Sequence, residues 1–238
     1  SPISIYKALS DGFQKSQIVY IKREADSALP QLIDPHILSY QGPNNIIPSV
    51  WWISVPFDEL VSMSPYFHKD LYLSAIVSAN TALKGHRDRL TFVRKVSSKH
   101  AFDVYGRGHA PDSFSGNYRG ELLSPGRCKL RGLQRYQYSI AIENTSENGY
   151  ITEKFNDCIL SWAKPFYFGA PNADIYFPPA SFHPIHNLNC PQSVDQCIYL
   201  ASTELNSDEI AAIREARELI LYRYNIWNIS DRLIRYIS

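Results

Sequence analysis

Short apolar runs separated by turn residues dominate the first part of the chain. Runs rich in β-branched and aromatic residues occur at 18–22 (IVYIK), 36–40 (HILSY) and 50–55 (VWWISV). Turn-forming residues, such as 41–45 (QGPNN), lie between them. Runs of this length and composition, bounded by Gly, Pro and Asn, are typical of strands. Residues 1–66 are therefore predicted to form strands and loops, too few for a complete α/β domain.

From residue 71 onwards, predicted strands alternate with predicted helices. Apolar runs predict strands at 71–79, 101–106, 138–144 and 164–169, and amphipathic spacing predicts helices at 87–96 and 151–162. This alternation implies crossover connections and a mainly parallel sheet, which binds ligands at the carboxyl ends of its strands. Residues 67–203 are thus predicted to form a nucleotide-binding type of domain.

The last part of the chain, residues 204–238, is predicted to be helical. In 207–224 (SDEIAAIREARELILYRY), Ser207 precedes two acids and apolar residues at helical spacing, which predicts a long helix capped by Ser207. A second, short helix is expected to end the chain. Both helices are expected to pack back across the preceding domains.

Composition is typical of a globular protein and argues against nucleic acid as a ligand. Apolar residues make up 45% of the 238 residues and charged residues 20%, so the chain can bury a sizeable core. The net charge is +1 and the basic residues are scattered, which leaves no basic face for nucleic acid. Aromatic residues make up 13% and suit a site that stacks rings, although packing in the core is the simpler explanation.

The sequence contains no run of about 20 apolar residues of the kind that spans a membrane. It begins with Ser1 rather than Met, so a processed chain is expected. Localisation in the cytoplasm is expected, with the Golgi lumen as the alternative if a membrane anchor has been trimmed.

The cysteines do not follow the pattern of a disulfide scaffold or a zinc finger. The chain has four of them, at Cys128, Cys158, Cys190 and Cys197. Their irregular spacing predicts that most are free thiols. Cys190 and Cys197 are near enough in sequence to close a small loop, which leaves an oxidising compartment open. A zinc site formed by these two cysteines with His183 and His186 has no standard spacing and is not expected.

The segment 138–169 combines a buried strand, a polar loop and a helix that begins near Thr152. Loop amides and the first helical turn offer unpaired N–H groups beside the positive end of the helix dipole, which suits a phosphate. Lys154 adds a positive charge, and an ionised Glu153 accepts hydrogen bonds, which suits the vicinal hydroxyls of a ribose. For an isolated segment of this type, the simpler interpretation is that Glu143, Thr152 and Glu153 only cap the helix.

Two strings within this segment favour ligand binding over simple capping. Residues 143–146 (ENTS) are followed by a short loop and then by residues 150–154 (YITEK). This order resembles the donor-site signature of the α1,3/4-fucosyltransferase family, also called glycosyltransferase family 10.

Further motifs occur in the order of that family. Residues 164–171 (KPFYFGAP) and 179–186 (PASFHPIH) resemble the two motifs that follow the donor-site signature. Upstream, two further matches lie on either side of an arginine-bearing helix. Residues 76–80 (IVSAN) resemble the family strand before that helix, with one extra residue, and residues 102–106 (FDVYG) resemble the motif after it. The resemblance covers roughly residues 70–188.

The resemblance implies roles for particular side chains. The residues assigned to the donor site are Asn144, Tyr150, Thr152, Glu153, Lys154 and Arg89. Arg89 falls on the helix arginine that reaches the diphosphate, with Arg87 as a competitor. Lys154 and Arg89 would stabilise the charge that develops on the leaving diphosphate. No metal is expected, because the chain contains no Asp-x-Asp string.

The acceptor side is less well defined by the resemblance. The predicted strand 18–22 runs into Glu24 and Asp26, a loose match to the family strand that ends in a glutamate. Glu24 is the candidate general base and Asp26 the second choice, because an acceptor hydroxyl must lose a proton as it attacks. Two solvated acids on a loop are an equally good interpretation. His109 is a weaker candidate base and is better explained as a surface histidine.

Together these features predict an α/β fold, specifically a GT-B type glycosyltransferase with a Rossmann-like donor domain and a shortened N-terminal acceptor-side domain. The resemblance implies inverting transfer of a sugar from a nucleotide-sugar donor, with GDP-fucose favoured, onto a hydroxyl of an oligosaccharide or glycoconjugate. No permanently bound cofactor is implied. Two alternatives remain: a related transferase that uses another donor such as a UDP-sugar, and a non-catalytic module that binds nucleotide or carbohydrate.

Overall fold

The structure is a computed structural model that describes residues 7–21, 38–40, 49, 51, 53, 55–65, 69–122 and 128–237. The strands are β1 Val19–Ile21, β2 Leu38–Tyr40, β3 Leu71–Ile76, β4 Asp103–Tyr105, β5 Tyr136–Ile142, β6 Lys164–Phe168 and β7 His183–Pro184. The α-helices are α1 Phe57–Ser62, α2 Lys84–Ser97, α3 Cys128–Arg131, α4 Glu153–Leu160, α5 Pro191–Ala201, α6 Ser207–Tyr222 and α7 Ile226–Ile237. Short 3₁₀ helices occupy Lys15–Gln17, Phe114–Gly116, Ala173–Ile175 and Pro179–Ser181.

Five strands form one parallel sheet in the order β4-β3-β5-β6-β7. From β3 the chain runs to β4 on one side, then returns past β3 to build β5, β6 and β7 on the other side. The connections therefore diverge between β3 and β5, and in sheets of this kind ligands bind at such a divergence, outside the carboxyl ends of the strands. The α/β class with a parallel sheet is confirmed.

Helices cover both faces of the sheet, which explains why all seven residues of β5 are buried. Neighbouring residues of β5 point to opposite faces: Ile140 packs with the apolar residues of α2 and α5, and Ala141 packs with those of α4 and α6. A strand enclosed in this way is mostly apolar. The sequence shows this pattern at 138–142 (YSIAI), where Ser139 is the exception.

The alternating strands and helices predicted after residue 71 are confirmed, with boundaries that move by a few residues. The cap of α6 is corrected. Asn206, rather than Ser207, is the N-cap, because its side chain accepts hydrogen bonds of 3.0 Å from the backbone N–H groups of Asp208 and Glu209. The carboxylate of Glu209 accepts a return bond of 2.9 Å from the N–H of Asn206, which completes a capping box.

The strand predicted at 50–55 is wrong at the residues that are described there. Trp51, Ile53 and Val55 have no strand geometry, although Ile53 and Val55 are buried in the core on the α4 face. A short apolar run indicates that its residues are buried, but it does not distinguish a buried strand from a buried irregular segment. Next to this segment, the backbone of Ser49 exchanges hydrogen bonds with Tyr224 and Ile226 at the junction of α6 and α7.

The small disulfide loop considered for Cys190 and Cys197 is not formed. Cys158, Cys190 and Cys197 are free thiols, which confirms that expectation for these three cysteines. Cys190 is the N-cap of α5 and Cys197 is buried on the same helix. The two cysteines are seven positions apart, about 10 Å along the helix axis, so the helix holds their thiols apart.

Helix α6 is tied to the edge of the sheet by a buried ion pair and an adjacent histidine. The ammonium of Lys164 lies 2.6 Å from the carboxylate of Glu209. His183 stacks on the rings of Tyr138 and Phe166. Burial, together with the charge of Lys164, lowers the pKa of His183 to about 4 from its usual value of 6.5, although Glu209 acts in the opposite direction.

This lowered pKa predicts a loss of stability in mild acid. Between pH 6.5 and pH 4, His183 binds a proton in the unfolded chain but stays neutral in the folded chain. The free energy of unfolding should therefore fall as the pH falls. The full effect is roughly 3 kcal/mol. His183→Phe keeps a ring between Tyr138 and Phe166 but cannot titrate, so urea unfolding should show a weaker pH dependence in the variant. Equal dependence in both proteins would contradict the prediction.

Candidate functional site

The site forms where α2 and the loop after β5 meet, at the carboxyl ends of β3 and β5. Gly85, in the first turn of α2, lies directly against the backbone of Asn144. A Cβ atom at Gly85 would come within 1.7 Å of the Asn144 carbonyl oxygen, so no larger residue fits there without backbone movement. Glycine at this position therefore lets the helix approach the loop closely.

Glu143 ends β5 and organises the start of α4. Its side chain is fully buried, and both carboxylate oxygens accept 2.8 Å hydrogen bonds from the hydroxyl of Thr152. One of them also accepts a 2.8 Å bond from the N–H of Thr152. The ammonium of Lys154 lies 3.0 Å from the other oxygen. The loop after β5 is thus clamped to the first turn of the helix by a charged network.

Lys154 is held in its charged form. Burial disfavours the ammonium, but the charges of Glu143 and Glu153 outweigh burial and raise the pKa of Lys154 above its usual value. Burial also raises the pKa of Glu143, against the effect of Lys154. Glu153 lies 3.2 Å from the Lys154 ammonium, and although burial acts in the opposite direction, Lys154 and Lys129 lower the pKa of Glu153. A cation and an ionised carboxylate therefore stand side by side at the start of α4.

Arg89 reaches the same place from α2. Its guanidinium donates a 3.3 Å hydrogen bond to the side-chain oxygen of Asn144, and only 7% of the residue is exposed. Burial lowers the pKa of Arg89, which still leaves a guanidinium charged at neutral pH. Its buried Nε–H has no hydrogen-bond partner among the described residues. A buried donor left unpaired is costly, and this cost is commonly retained where a ligand is bound.

The competitor Arg87 faces away from this network. It is exposed, and its guanidinium donates a 2.8 Å hydrogen bond to the carbonyl of Thr81 in the loop before α2. The two arginines lie two residues apart on a helix and therefore point in different directions. Of the two, the geometry selects Arg89 for contact with Asn144.

Tyr150 and Thr152 take mainly structural positions in the folded chain. Only 3% of Tyr150 is exposed, and its carbonyl accepts a hydrogen bond of 3.1 Å from the hydroxyl of Tyr167. Thr152 is the N-cap of α4, and its side-chain oxygen accepts from the N–H of Lys154. The capping role that the sequence left open is thus real for Thr152, while Glu153 and Lys154 remain beside Arg89 and Asn144. The binding roles assigned to these residues stay predictions.

A small cavity of about 30 Å³ lies at this point, between β3, β5 and α4. Arg89, Glu153 and Lys154 line it, together with Lys129 and Asp157, which the sequence did not single out. The Lys129 ammonium lies 2.7 Å from the carboxylate of Asp157, whose side chain is only 2% exposed. The i, i+4 spacing of Glu153 and Asp157 puts both acids on one helix face, but nothing in the sequence indicates which lysine meets them.

Of the three candidates for the general base, only His109 lies among the described residues. Glu24 and Asp26 lie outside the described residues. His109 is described, and the prediction of a surface histidine is corrected: its ring is half-buried, packs edge-on against Phe114 and Tyr118, and has Nε2 3.0 Å from the carbonyl of Val77. Packing of this kind supports a structural role for His109.

The described residues contain neither a cluster of metal ligands nor a membrane-spanning helix. Across the described ranges, no group of three or more His, Cys, Asp and Glu side chains is arranged to hold a metal ion. None of the helices in the described part of the chain has both the length and the apolar character needed to cross a bilayer.

The fold is an α/β fold of the GT-B type. The solved structure of TarM from S. aureus matches the fold with a TM-score of 0.56 at 15% identity, over 100% of this chain and 46% of that chain. The family model described as "Glycosyltransferase family 10 (fucosyltransferase) C-term" matches residues 67–210. The chain therefore belongs to glycosyltransferase family 10.

Curated relatives of the chain are longer proteins. An alpha-(1,3)-fucosyltransferase of Helicobacter pylori is 33% identical over 91 residues, which are 38% of this chain and 19% of that protein. A 4-galactosyl-N-acetylglucosaminide 3-alpha-L-fucosyltransferase of Homo sapiens is 25% identical over 200 residues, which are 81% of this chain and 48% of that protein. The chain spans about half, or less, of the length of these relatives.

Proposed function

We propose that the protein transfers a sugar from a nucleotide-sugar donor, with GDP-fucose favoured, to a hydroxyl group of a glycan. The observation that carries the proposal is the pair of cations, the buried Arg89 and the half-buried Lys154, at the divergence of β3 and β5. Arg89 keeps an unpaired N–H there, and the adjacent start of α4 contributes the positive end of a helix dipole. Such an arrangement suits a diphosphate.

The proposed reaction uses this placement of charge. The acceptor oxygen attacks the anomeric carbon from the face opposite the diphosphate, and the bond from that carbon to the diphosphate oxygen breaks. The electron pair leaves with the nucleoside diphosphate, whose growing charge Lys154 and Arg89 stabilise. Glu153 accepts hydrogen bonds from the ribose hydroxyls. The acceptor proton passes to Glu24, and the anomeric configuration is inverted.

The names of the relatives support fucose as the transferred sugar, since those proteins are called fucosyltransferases. TarM, whose structure contains UDP, shares the fold and supports the alternative of a UDP-sugar donor. A module that binds without catalysis would keep Lys154 and Glu153 but lack a carboxylate at the anomeric carbon. Donor preference and turnover therefore have to be tested separately.

Donor preference is tested by thermal unfolding with GDP, UDP, dTDP and CMP. A nucleotide that binds only the folded protein raises its stability by about 2.7 kcal/mol at a concentration of 100 Kd. We expect GDP to raise the melting temperature most, and Arg89→Ala to remove most of that shift. A larger shift with UDP would select the alternative donor. The absence of a shift with all four nucleotides would contradict the proposed function.

Activity is expected to survive removal of divalent metal ions. Lys154, Arg89 and the start of α4 supply positive charge where a metal-dependent transferase places its ion. Turnover measured with EDTA should therefore stay within about twofold of the untreated rate. Complete loss of activity that added Mg²⁺ or Mn²⁺ restores would show that a metal, rather than these side chains, meets the charge of the leaving group.

A further inference from the structure

A second and larger cavity opens at the same edge of the sheet, on the other side of β5. Its volume is about 350 Å³, within the range of small-molecule sites. Its walls include Gly169 and Ile185, which directly follow β6 and β7, and Ser146 in the loop after β5. It therefore lies at the carboxyl ends of parallel strands, where ligands of such sheets bind.

This cavity abuts the charged network of the donor site. Gly169 forms the contact: a Cβ atom there would lie 2.6 Å from Cγ of Glu143 and 2.2 Å from the hydroxyl oxygen of Tyr167. Glu143 in turn pairs with Lys154. Because residue 169 is a glycine, the wall of the large cavity comes into direct contact with the side chain that holds Lys154 in place.

The lining of the large cavity suits a neutral ring that carries hydroxyl groups. Within the described part of the chain its walls contain no Lys or Arg, in contrast to the small cavity at Arg89. Aromatic side chains and prolines form apolar surfaces, while Ser146, Asp174 and His186 offer polar groups. An ionised carboxylate accepts hydrogen bonds from hydroxyl groups but repels a phosphate. A pyranose ring, with an apolar face and a rim of hydroxyls, matches this combination.

The two cavities separate the groups that suit the different parts of a nucleotide sugar. Glu153, Arg89 and Lys154, which suit the ribose and the diphosphate, all line the small cavity on the β3 and β5 side. Ser146 and Gly169 line the large cavity on the β6 and β7 side. A diphosphate held by Arg89 and Lys154 leaves the adjoining large cavity for the sugar end of the donor or for the acceptor sugar beyond it.

We propose that the large cavity bounded by Ser146, Gly169 and Asp174 binds a pyranose ring, which belongs either to the donor sugar or to the acceptor glycan. This inference rests on the proposed function, because it takes its direction from the nucleoside and diphosphate positions. It adds a sugar subsite formed by the chain after β6 and β7. None of the residues that the sequence assigns to the donor site lies in that part of the chain.

The test uses substitutions at exposed residues on the rim of the large cavity. Ser146 is exposed, so Ser146→Trp can place an indole in the cavity without disturbing the core. Asp174→Ala, also at an exposed position, removes a hydrogen-bonding group instead of volume. The matched control is Ile175→Trp, which adds the same indole next to Asp174 at a residue that is 71% exposed and does not line the cavity. Melting temperatures confirm that each variant is folded.

Three quantities are measured for each variant: the affinity for GDP, the affinity for GDP-fucose, and the KM for a 4-galactosyl-N-acetylglucosaminide acceptor. We expect Ser146→Trp to bind GDP within about twofold of wild type and to lose about tenfold or more in one of the other two quantities. Weaker GDP-fucose binding would identify the donor sugar as the ligand of the large cavity. A raised KM for the acceptor would identify the acceptor sugar as that ligand. Asp174→Ala should change the same quantity in the same direction, and Ile175→Trp should change none.

Two results for Ser146→Trp would overturn the proposal. Loss of GDP affinity would show that the cavity holds the nucleobase rather than a pyranose. No change in any of the three quantities would show that it holds neither ligand. If the wild-type protein binds no nucleoside diphosphate, the proposed function fails first, and the sugar subsite fails with it.

Discussion

Lys154→Ala is expected to lower kcat by roughly 10²-fold or more, because the charge on the departing diphosphate loses its closest cation. Arg89→Ala should have an effect of similar size for the same reason. Initial rates under donor saturation measure the effect. Arg87→Ala is the matched control for Arg89, since it removes an exposed arginine from the same helix whose guanidinium faces the loop before α2. Near-normal kcat in either site variant would remove that residue from the mechanism.

The structure adds a consequence for stability that the sequence did not suggest. Removing Lys154 leaves the fully buried Glu143 without its counter-charge, which costs about 3–5 kcal/mol when a buried pair is broken in this way. A second variant separates stability from catalysis: Lys154→Met combined with Glu143→Gln leaves no uncompensated charge at position 143. We expect the double variant to melt at a higher temperature than Lys154→Ala and to remain equally slow. Recovery of the rate in the double variant would show that instability, rather than lost charge, had lowered kcat.

Glu24→Gln is expected to lower kcat by roughly 10²- to 10⁴-fold while the affinity for GDP stays near that of wild type. A general base acts on the acceptor proton in the transition state, so its loss affects turnover more than donor binding. Asp26→Asn is the matched control, an amide substitution two residues away, and should be much milder. The measurements are kcat from initial rates and nucleotide affinity from thermal shifts.

The reverse pattern would reassign the base. An active Glu24→Gln protein with an inactive Asp26→Asn protein would identify Asp26. Activity in both variants would exclude both residues as the base. Loss of GDP affinity in Glu24→Gln would show that Glu24 contributes to donor binding or to folding, which contradicts a role limited to proton transfer.

The strand, loop and helix from β5 to α4 could be predicted from the sequence because the interactions that form them are local. The network of Glu143, Thr152 and Lys154 lies within twelve residues, and its members are joined by hydrogen bonds and an ion pair. The apolar run of β5 predicts a strand buried on both faces, and this is confirmed. The conformation of such a short segment is set largely by contacts within the segment itself. Local reasoning was less accurate at 50–55, where apolar residues report burial without specifying strand geometry.

The sequence by itself determined the family, the alternation of strands and helices, and which residues of the 143–154 segment can carry charge. Only the tertiary structure decided that Arg89 rather than Arg87 reaches Asn144, that Lys129 pairs with Asp157, and that Gly169 brings a second cavity against Glu143. These contacts join residues that are 26 to 55 positions apart in the chain. They depend on the order of the strands and on how each helix packs across the sheet. Packing is set by the whole core at once, so the residue types near any one position do not specify it.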